Sequence, residues 1–242
     1  RLSVNIELPT ETSLVRLAPE KNVASIHQAM HDIHLGEREA KEERRAPRFA
    51  PAGQSTQMIV GADATDDSTI LHNAQSLYQD YRLRRVYYSA FSPIPQSPKS
   101  VPFEAPPLLR EHRLYQADFL MRGYGFSATE LLSGRGNLDL DIDPKLAWAL
   151  ANREQFPVDL NRADESLIAR VPGIGVLSAR RLGALRRERR IRYEDLTRLR
   201  CSLEKAKPFI VTHDYRPSLA GQESTALRQH LRDGSPTQMA LW

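Results

Sequence analysis

Residues 167 to 182 read Leu-Ile-Ala-Arg-Val-Pro-Gly-Ile-Gly-Val-Leu-Ser-Ala-Arg-Arg-Leu, a pattern suited to holding a phosphate between two short helices. Gly173 and Gly175 allow the backbone to turn sharply and to approach an anion with no side chain in the way, and the helix that follows presents N–H groups at its positive end. Ile174, between the glycines, is expected to tuck inward as the plug of the turn. Ala179, four residues after Gly175, is small where two helices must pack closely. Ser178, Arg180 and Arg181 then stand on the second helix as side chains able to reach a polyanion.

The charge around this turn is polarised. From Asn161 to Lys207 there are thirteen Lys and Arg against six Asp and Glu, so the segment is +7 in a chain of net +4, and the remainder is −3. Such a split is the electrostatic footprint of a nucleic-acid partner, DNA or else RNA. The spacing Gly, apolar, Gly with Ala four residues on resembles the helix-hairpin-helix motif of DNA repair and recombination proteins. One departure stands out: where tightly gripping motifs of that kind carry Lys, two residues after the second glycine, this chain has Leu177, and Arg180 and Arg181 must compensate. The rival reading is a hairpin used for packing or protein contact, with its arginines a solvated face.

Other candidate chemistry lies where strands are expected to end. In Arg1-Leu-Ser-Val-Asn-Ile-Glu-Leu8, strict alternation sets Leu2, Val4, Ile6 and Leu8 against Ser3, Asn5 and Glu7. A polar face on a strand of a parallel sheet suggests a polar cavity, with Asn5 and Glu7 near the carboxyl end where barrel proteins bind ligands; a solvated edge strand is the alternative. Gly61 and Ala62 keep side chains away from the end of the next strand, and Ala90 and Phe91 set a small residue beside an aromatic ring at the end of a third.

Three other groupings carry weaker chemistry. His27, His31 and His34 share a helix face but lack a carboxylate motif for metal. Asp139, Asp141 and Asp143 lack the Gly and Glu of a calcium loop and fit a connector strand ending in a helix cap. Ser127 and Ser178 have no His and Asp arrangement to activate them as nucleophiles.

The elements that must position these residues alternate. Strands are expected over residues 2 to 8, 57 to 62 and 85 to 91, with helices over 20 to 45 and 67 to 82 between them, a run of parallel βα units belonging to an α/β barrel or a doubly wound sheet. Ser92 to Pro107 holds six of the sixteen prolines, so the alternation stops there and the first domain is placed at 1–107. A helical connector follows over 108–157, with a helix over 107 to 122, a capping-box pattern at Ser127-Ala-Thr-Glu130 and an Asp143-Pro144 helix start. A small all-α helix-hairpin-helix domain is expected over 158–212 and a flexible tail, free or docked as a short peptide, over 213–242.

No apolar run approaches the ~20 residues that span a bilayer. Cys201, the single cysteine, can form no disulfide within the chain, so a reducing cytoplasmic setting is expected. The opening residue is Arg rather than Met and the strand pattern begins at once, from which the chain is expected to be a fragment lacking its natural N-terminal part.

Taken together, Arg1 to Glu11, Ala50 to Gly61, Val86 to Pro93, Asp141 to Leu150 and Val171-Pro-Gly-Ile-Gly175 resemble the DNA modification or repair radical SAM proteins, over nearly all of residues 1 to 212. The resemblance implies the second half of a partial (β/α) barrel that binds S-adenosylmethionine and a 4Fe-4S cluster, followed by a helix-hairpin-helix module that delivers DNA. It also implies that Asn5 and Glu7 contact the methionine or ribose part of the cofactor, that Gly61, Ala62, Ala90 and Phe91 border its adenine, and that a DNA glycosylase-like protein is a partner. The three cluster cysteines of such enzymes are absent, so the cluster ligands are expected outside this chain, and no turnover is expected from it alone. Two alternatives remain at this point: a non-catalytic helix-hairpin-helix DNA-binding scaffold, and a barrel enzyme of other chemistry with Glu7 as general base.

Overall fold

The computed structural model describes residues 1–43, 47, 49–94, 101–218 and 224–233. Among these residues the fold is mixed α/β, about 52% helical, with two small parallel sheets and no closed barrel. Two compact units divide it: Arg1–Asp118 with Ser127–Leu138, and Phe119–Phe126 with Asp139–Trp242. No helix among the described residues is long and apolar enough to cross a membrane.

The first unit is built on a three-stranded parallel sheet in the order β1 (Leu2–Ser3), β2 (Gln54–Val60), β3 (Arg85–Ala90). Parallel neighbours require crossovers, and the helices α2 (Val23–Glu42) and α3 (Asp67–Asp80) supply them, as the alternation of the sequence predicts. Both helices start where a short polar side chain caps the first turn: Asn22 accepts from the Ser25 N–H and Asp66 from the Thr69 N–H. A short helix that the sequence reading lacks, α1 (Glu11–Leu17), is capped by Thr10. The core of this unit includes Met30, Met58, Val60, Leu71, Val86 and Tyr88, all essentially inaccessible to solvent.

The first strand is much shorter than expected. Only Leu2 and Ser3 pair with β2; thereafter the chain keeps a single bridge, Glu7 to Met58, and Glu7 itself adopts a left-handed backbone with φ 64°. That conformation interrupts the pleat, so the period-two alternation does not become one apolar face: Ile6 and Leu8 are buried while Leu2 is exposed.

After β3 come α4 (Leu108–Tyr124) and α5 (Ala128–Leu132), the latter opened by the expected capping box, in which Ser127 and Glu130 satisfy each other's backbone N–H. Within the first unit, the buried Asp67 ties the start of α3 to the loop behind α5, accepting from Leu138 N–H at 3.0 Å and from Arg110 Nε at 2.7 Å.

The second unit contains α6 (Pro144–Ala151), capped by Asp143, then β4 (Val158–Asp159), α7 (Glu165–Arg170), α8 (Val176–Glu188), α9 (Tyr193–Arg198), α10 (Leu203–Ala206) and β5 (Ile210–Val211). The hairpin module is therefore not all-α: β4 and β5 pair in parallel, Val158 with Ile210 and Asp159 with Val211. Between residues 139 and 143 there is no connector strand; Asp139 accepts from the Asp141 and Ile142 N–H groups, turning the chain into the α6 cap. In the segment read as a flexible tail, α11 (Ser224–Asp233) buries Leu227 and Leu231, and its Arg228 pairs with Asp139. Residues 219–223 and 234–242 of that segment lie outside the described residues.

Candidate nucleic-acid interface

The expected hairpin is present. Helices α7 and α8 are joined by Val171 to Gly175, Ile174 is 1% exposed as the inward plug, and Ala179 is buried where the helices meet. The two glycines have different reasons. Gly173 has φ +81°, and a Cβ there would stand 2.4 Å from the carbonyl oxygen of Ser202. Its missing side chain makes room for the neighbouring loop of the protein. Gly175 is the N-cap of α8 with an ordinary φ of −85°, and its nearest neighbour would be the Tyr124 hydroxyl at 3.7 Å.

No side chain caps the first turn of α8. Its first amide is nonetheless engaged, because the Val176 N–H donates to the Tyr124 hydroxyl. One residue back, Lys145 on α6 donates from Nζ to the Ile174 carbonyl at 2.6 Å, and its nitrogen lies 4.6 Å from the centre of the Tyr124 ring. Lys145 and Tyr124 thus hold the backbone on either side of Gly175. Burial lowers the Lys145 ammonium to about 7, against the opposing pull of the Asp143 carboxylate. Burial likewise raises the Tyr124 phenol.

Beyond that turn, Leu177, Arg180, Arg181 and Ala184 form the exposed face of α8. Leu177 is 67% exposed, so the place where Lys was expected is an open apolar side chain. Arg180, Arg181, Arg187, Arg190, Arg200 and Lys207 make no side-chain ion pair or hydrogen bond among the described residues. Other basic residues of the segment are spent on the fold. Arg189 forks onto the Asp195 carboxylate at 2.5 and 2.9 Å, and this bond holds Asp195 below the usual carboxylate range. Arg186 donates to the Ala163 carbonyl, Lys205 pairs with Asp143, and Arg170 reaches the Gly125 carbonyl across the Phe126 ring. Ser178 also turns inward, its Oγ donating to the Leu199 carbonyl at 3.2 Å, so it is a structural hydroxyl rather than an outward contact.

A second hairpin, absent from the sequence reading, follows the first. Gly173, Ile174, Gly175 and Ala179 correspond one by one to Arg200, Cys201, Ser202 and Ala206. Arg200 has φ +57° where Gly173 has +81°. The Ala206 N–H donates to Ser202 at 3.0 Å just as the Ala179 N–H donates to Gly175 at 2.8 Å, and both alanines are buried. The hairpins touch backbone to backbone, the Ser202 N–H donating to the Gly173 carbonyl at 2.9 Å. Arginine at the turn conceals the repeat in the sequence; Ala206 four residues after Ser202 is the signal that remains. Cys201 fills the plug position of this second turn, half-buried, and burial raises its thiol. Asn161 joins the two halves of the module, donating to the Ile191 carbonyl and accepting its N–H at 2.7 Å.

In the first unit, the residues expected to meet a cofactor have varied settings. Asn5 is exposed and accepts from Ser3 Oγ. Glu7 is ion-paired with Lys21 at 2.5 Å. A Cβ on Gly61 would meet Pro106 at 2.6 Å, so that side of the strand end is covered by proline. Ala62 lies in an apolar cluster with Leu8 and Leu14, against which Phe91 packs, and the Ala90 N–H is taken by Glu111 at 2.8 Å. Nearby, burial works to raise the Asp63 carboxyl, but hydrogen bonds from Ser13 and Thr65 outweigh it and hold Asp63 low. A cleft of about 250 Å³ lies at the opposite, amino end of the strands, lined by Glu37, Phe49, Pro51, Gly53 and Arg84 among others.

The chain matches no family model, no curated protein and no solved structure. Among the described residues no three His, Cys, Asp or Glu side chains gather as a metal site, His27, His31 and His34 included. The His27 ring instead lies 5.6 Å from that of Tyr81.

Proposed function

We propose that the hairpin module binds DNA through its phosphate backbone, with the first turn of α8 and the guanidinium groups of Arg180 and Arg181 as the principal contacts. The observation that carries this reading is the exposed face of α8: after a helix start whose cap residue, Gly175, supplies no side chain, two exposed arginines have no ion pair or hydrogen bond among the described residues. A helix amino terminus and guanidinium groups without an ion pair both favour anions. Replacing Arg180 and Arg181 with Ala should weaken binding to duplex DNA and reduce the steepness of its salt dependence by about 0.9 for each phosphate no longer neutralised. Unchanged affinity and slope would remove α8 from the interface.

For the chain as a whole, we propose the C-terminal part of a radical SAM enzyme that modifies or repairs DNA. The parallel βα run favours this reading, because it brings Glu7, Gly61, Ala62, Ala90 and Phe91 to one end of the strands. Cys201 alone does not fit a 4Fe-4S cluster, and among the six candidate cofactor residues the one ionisable group, Glu7, is engaged by Lys21. The non-catalytic DNA-binding scaffold is favoured by the same apolar packing of Ala62 and Phe91. The readings separate on 5′-deoxyadenosine formation by the full natural-length protein, reconstituted anaerobically with iron, sulfide, S-adenosylmethionine and reductant. Product above the enzyme-free background, raised by DNA, supports the enzyme; none from an intact cluster supports the scaffold.

A further inference from the structure

The second hairpin poses a physical question that packing does not answer. Its turn runs through a left-handed backbone at Arg200, φ +57°, a region that favours glycine, and the matching turn of the first hairpin does use glycine. Residues kept in such conformations against their preference point to a use for the side chain. The Arg200 side chain is exposed and has no ion pair or hydrogen bond among the described residues, whereas the nearby Arg198 is held by Glu194 at 3.5 Å.

Its backbone is also fixed. Just before it, the Leu199 carbonyl accepts from Ser178 Oγ on the first turn of α8; just after it, the Ser202 N–H donates to Gly173. Arg200 is therefore clamped between two bonds to the first hairpin, next to the turn whose own exposed residue is the apolar Leu177. We infer that Arg200 is a second phosphate-binding point of the DNA interface, supplying from the neighbouring hairpin the cation that the first hairpin lacks at Leu177. The inference rests on the DNA-binding reading of α8 and adds a cation that the glycine-based pattern does not contain.

The test compares Arg200→Gly, Arg200→Lys and the double variant Arg180→Ala with Arg181→Ala in the whole chain, by fluorescence anisotropy with a duplex DNA over a range of salt, alongside thermal melting. Arg200→Gly is expected to raise Kd about three- to tenfold and to reduce the salt slope by about 0.9, the value for a single phosphate. Its melting temperature should equal or exceed that of the wild type, because glycine suits the turn. Arg200→Lys should keep the slope. If Arg200→Gly binds as the wild type does while the double variant is weakened, the role of Arg200 is overturned and the DNA reading stands. If Arg200→Gly and Arg200→Lys lose affinity equally and both melt lower, the effect belongs to the fold and the inference is overturned. If the wild type binds no DNA, both fall.

Discussion

Lys145 and Ile174 are joined by a hydrogen bond of 2.6 Å in which a buried side-chain nitrogen on α6 donates to a carbonyl inside the hairpin. Between about pH 7 and the ordinary lysine range near 10.5, the folded chain holds this amine neutral while the unfolded chain protonates it. The unfolded state then binds more protons, so the stability contributed through Lys145 rises with pH across that window. Urea unfolding at pH 7, 8 and 9 should show the wild type gaining stability relative to Lys145→Met; parallel trends would contradict the shift. The variant should also lose about 1–3 kcal/mol, because it leaves the Ile174 carbonyl without its donor.

The two glycines of the hairpin should differ in how much alanine costs. At Gly173 the new Cβ would sit 2.4 Å from a backbone oxygen in a left-handed conformation, so Gly173→Ala should destabilise the chain by more than about 2 kcal/mol. At Gly175 the nearest atom is 3.7 Å away and φ is ordinary, so Gly175→Ala should cost less than about 1 kcal/mol. Thermal or denaturant melts of the pair decide between the packing reason found for Gly173 and a purely functional one.

Asn161→Ala should destabilise the module by about 1–3 kcal/mol, since it removes both hydrogen bonds to Ile191 and leaves that N–H unpaired, while the carbonyl keeps the His213 N–H at 3.0 Å. Hydrogen exchange at the Ile191 amide, measured beside global stability, should show the loss locally; unchanged protection there would contradict the role.

In the first unit, Arg110→Met would strand the buried Asp67 carboxylate, which Arg110 contacts at 2.7 Å. Removing one partner of a buried pair costs about 3–5 kcal/mol, and Asp67→Asn with Arg110→Met together should cost less than the two single effects summed. A double-mutant cycle by chemical denaturation reads this directly.

Local signals were the legible part of the sequence. Ser127 with Glu130, Asp143 with Pro144, and the Gly-Ile-Gly turn each fix a backbone shape through neighbours a few residues away, and each stands where expected. The parallel sheet was legible because two helices of helical spacing separate three apolar runs. What stayed hidden depends on distant partners. Glu7 turns out of the pleat into a left-handed bridge to Met58, so alternation alone overstated β1. The burial of Lys145 depends on partners distant in sequence, the Ile174 carbonyl and the Tyr124 ring. The second hairpin has Arg200 and Ser202 where the first has glycines, and a pattern built on glycine could not find it.

The pairing of β4 with β5 has a mechanical consequence. Because the strands are parallel, the chain enters the module beside Ile210 and leaves it past Val211, heading away from where it came in. Tension applied along the chain at the two ends of the module pulls these strands past one another lengthwise. The hydrogen bonds between them, with the added bond from the Leu160 N–H to the Val211 carbonyl, are then loaded in shear together and do not peel apart one at a time.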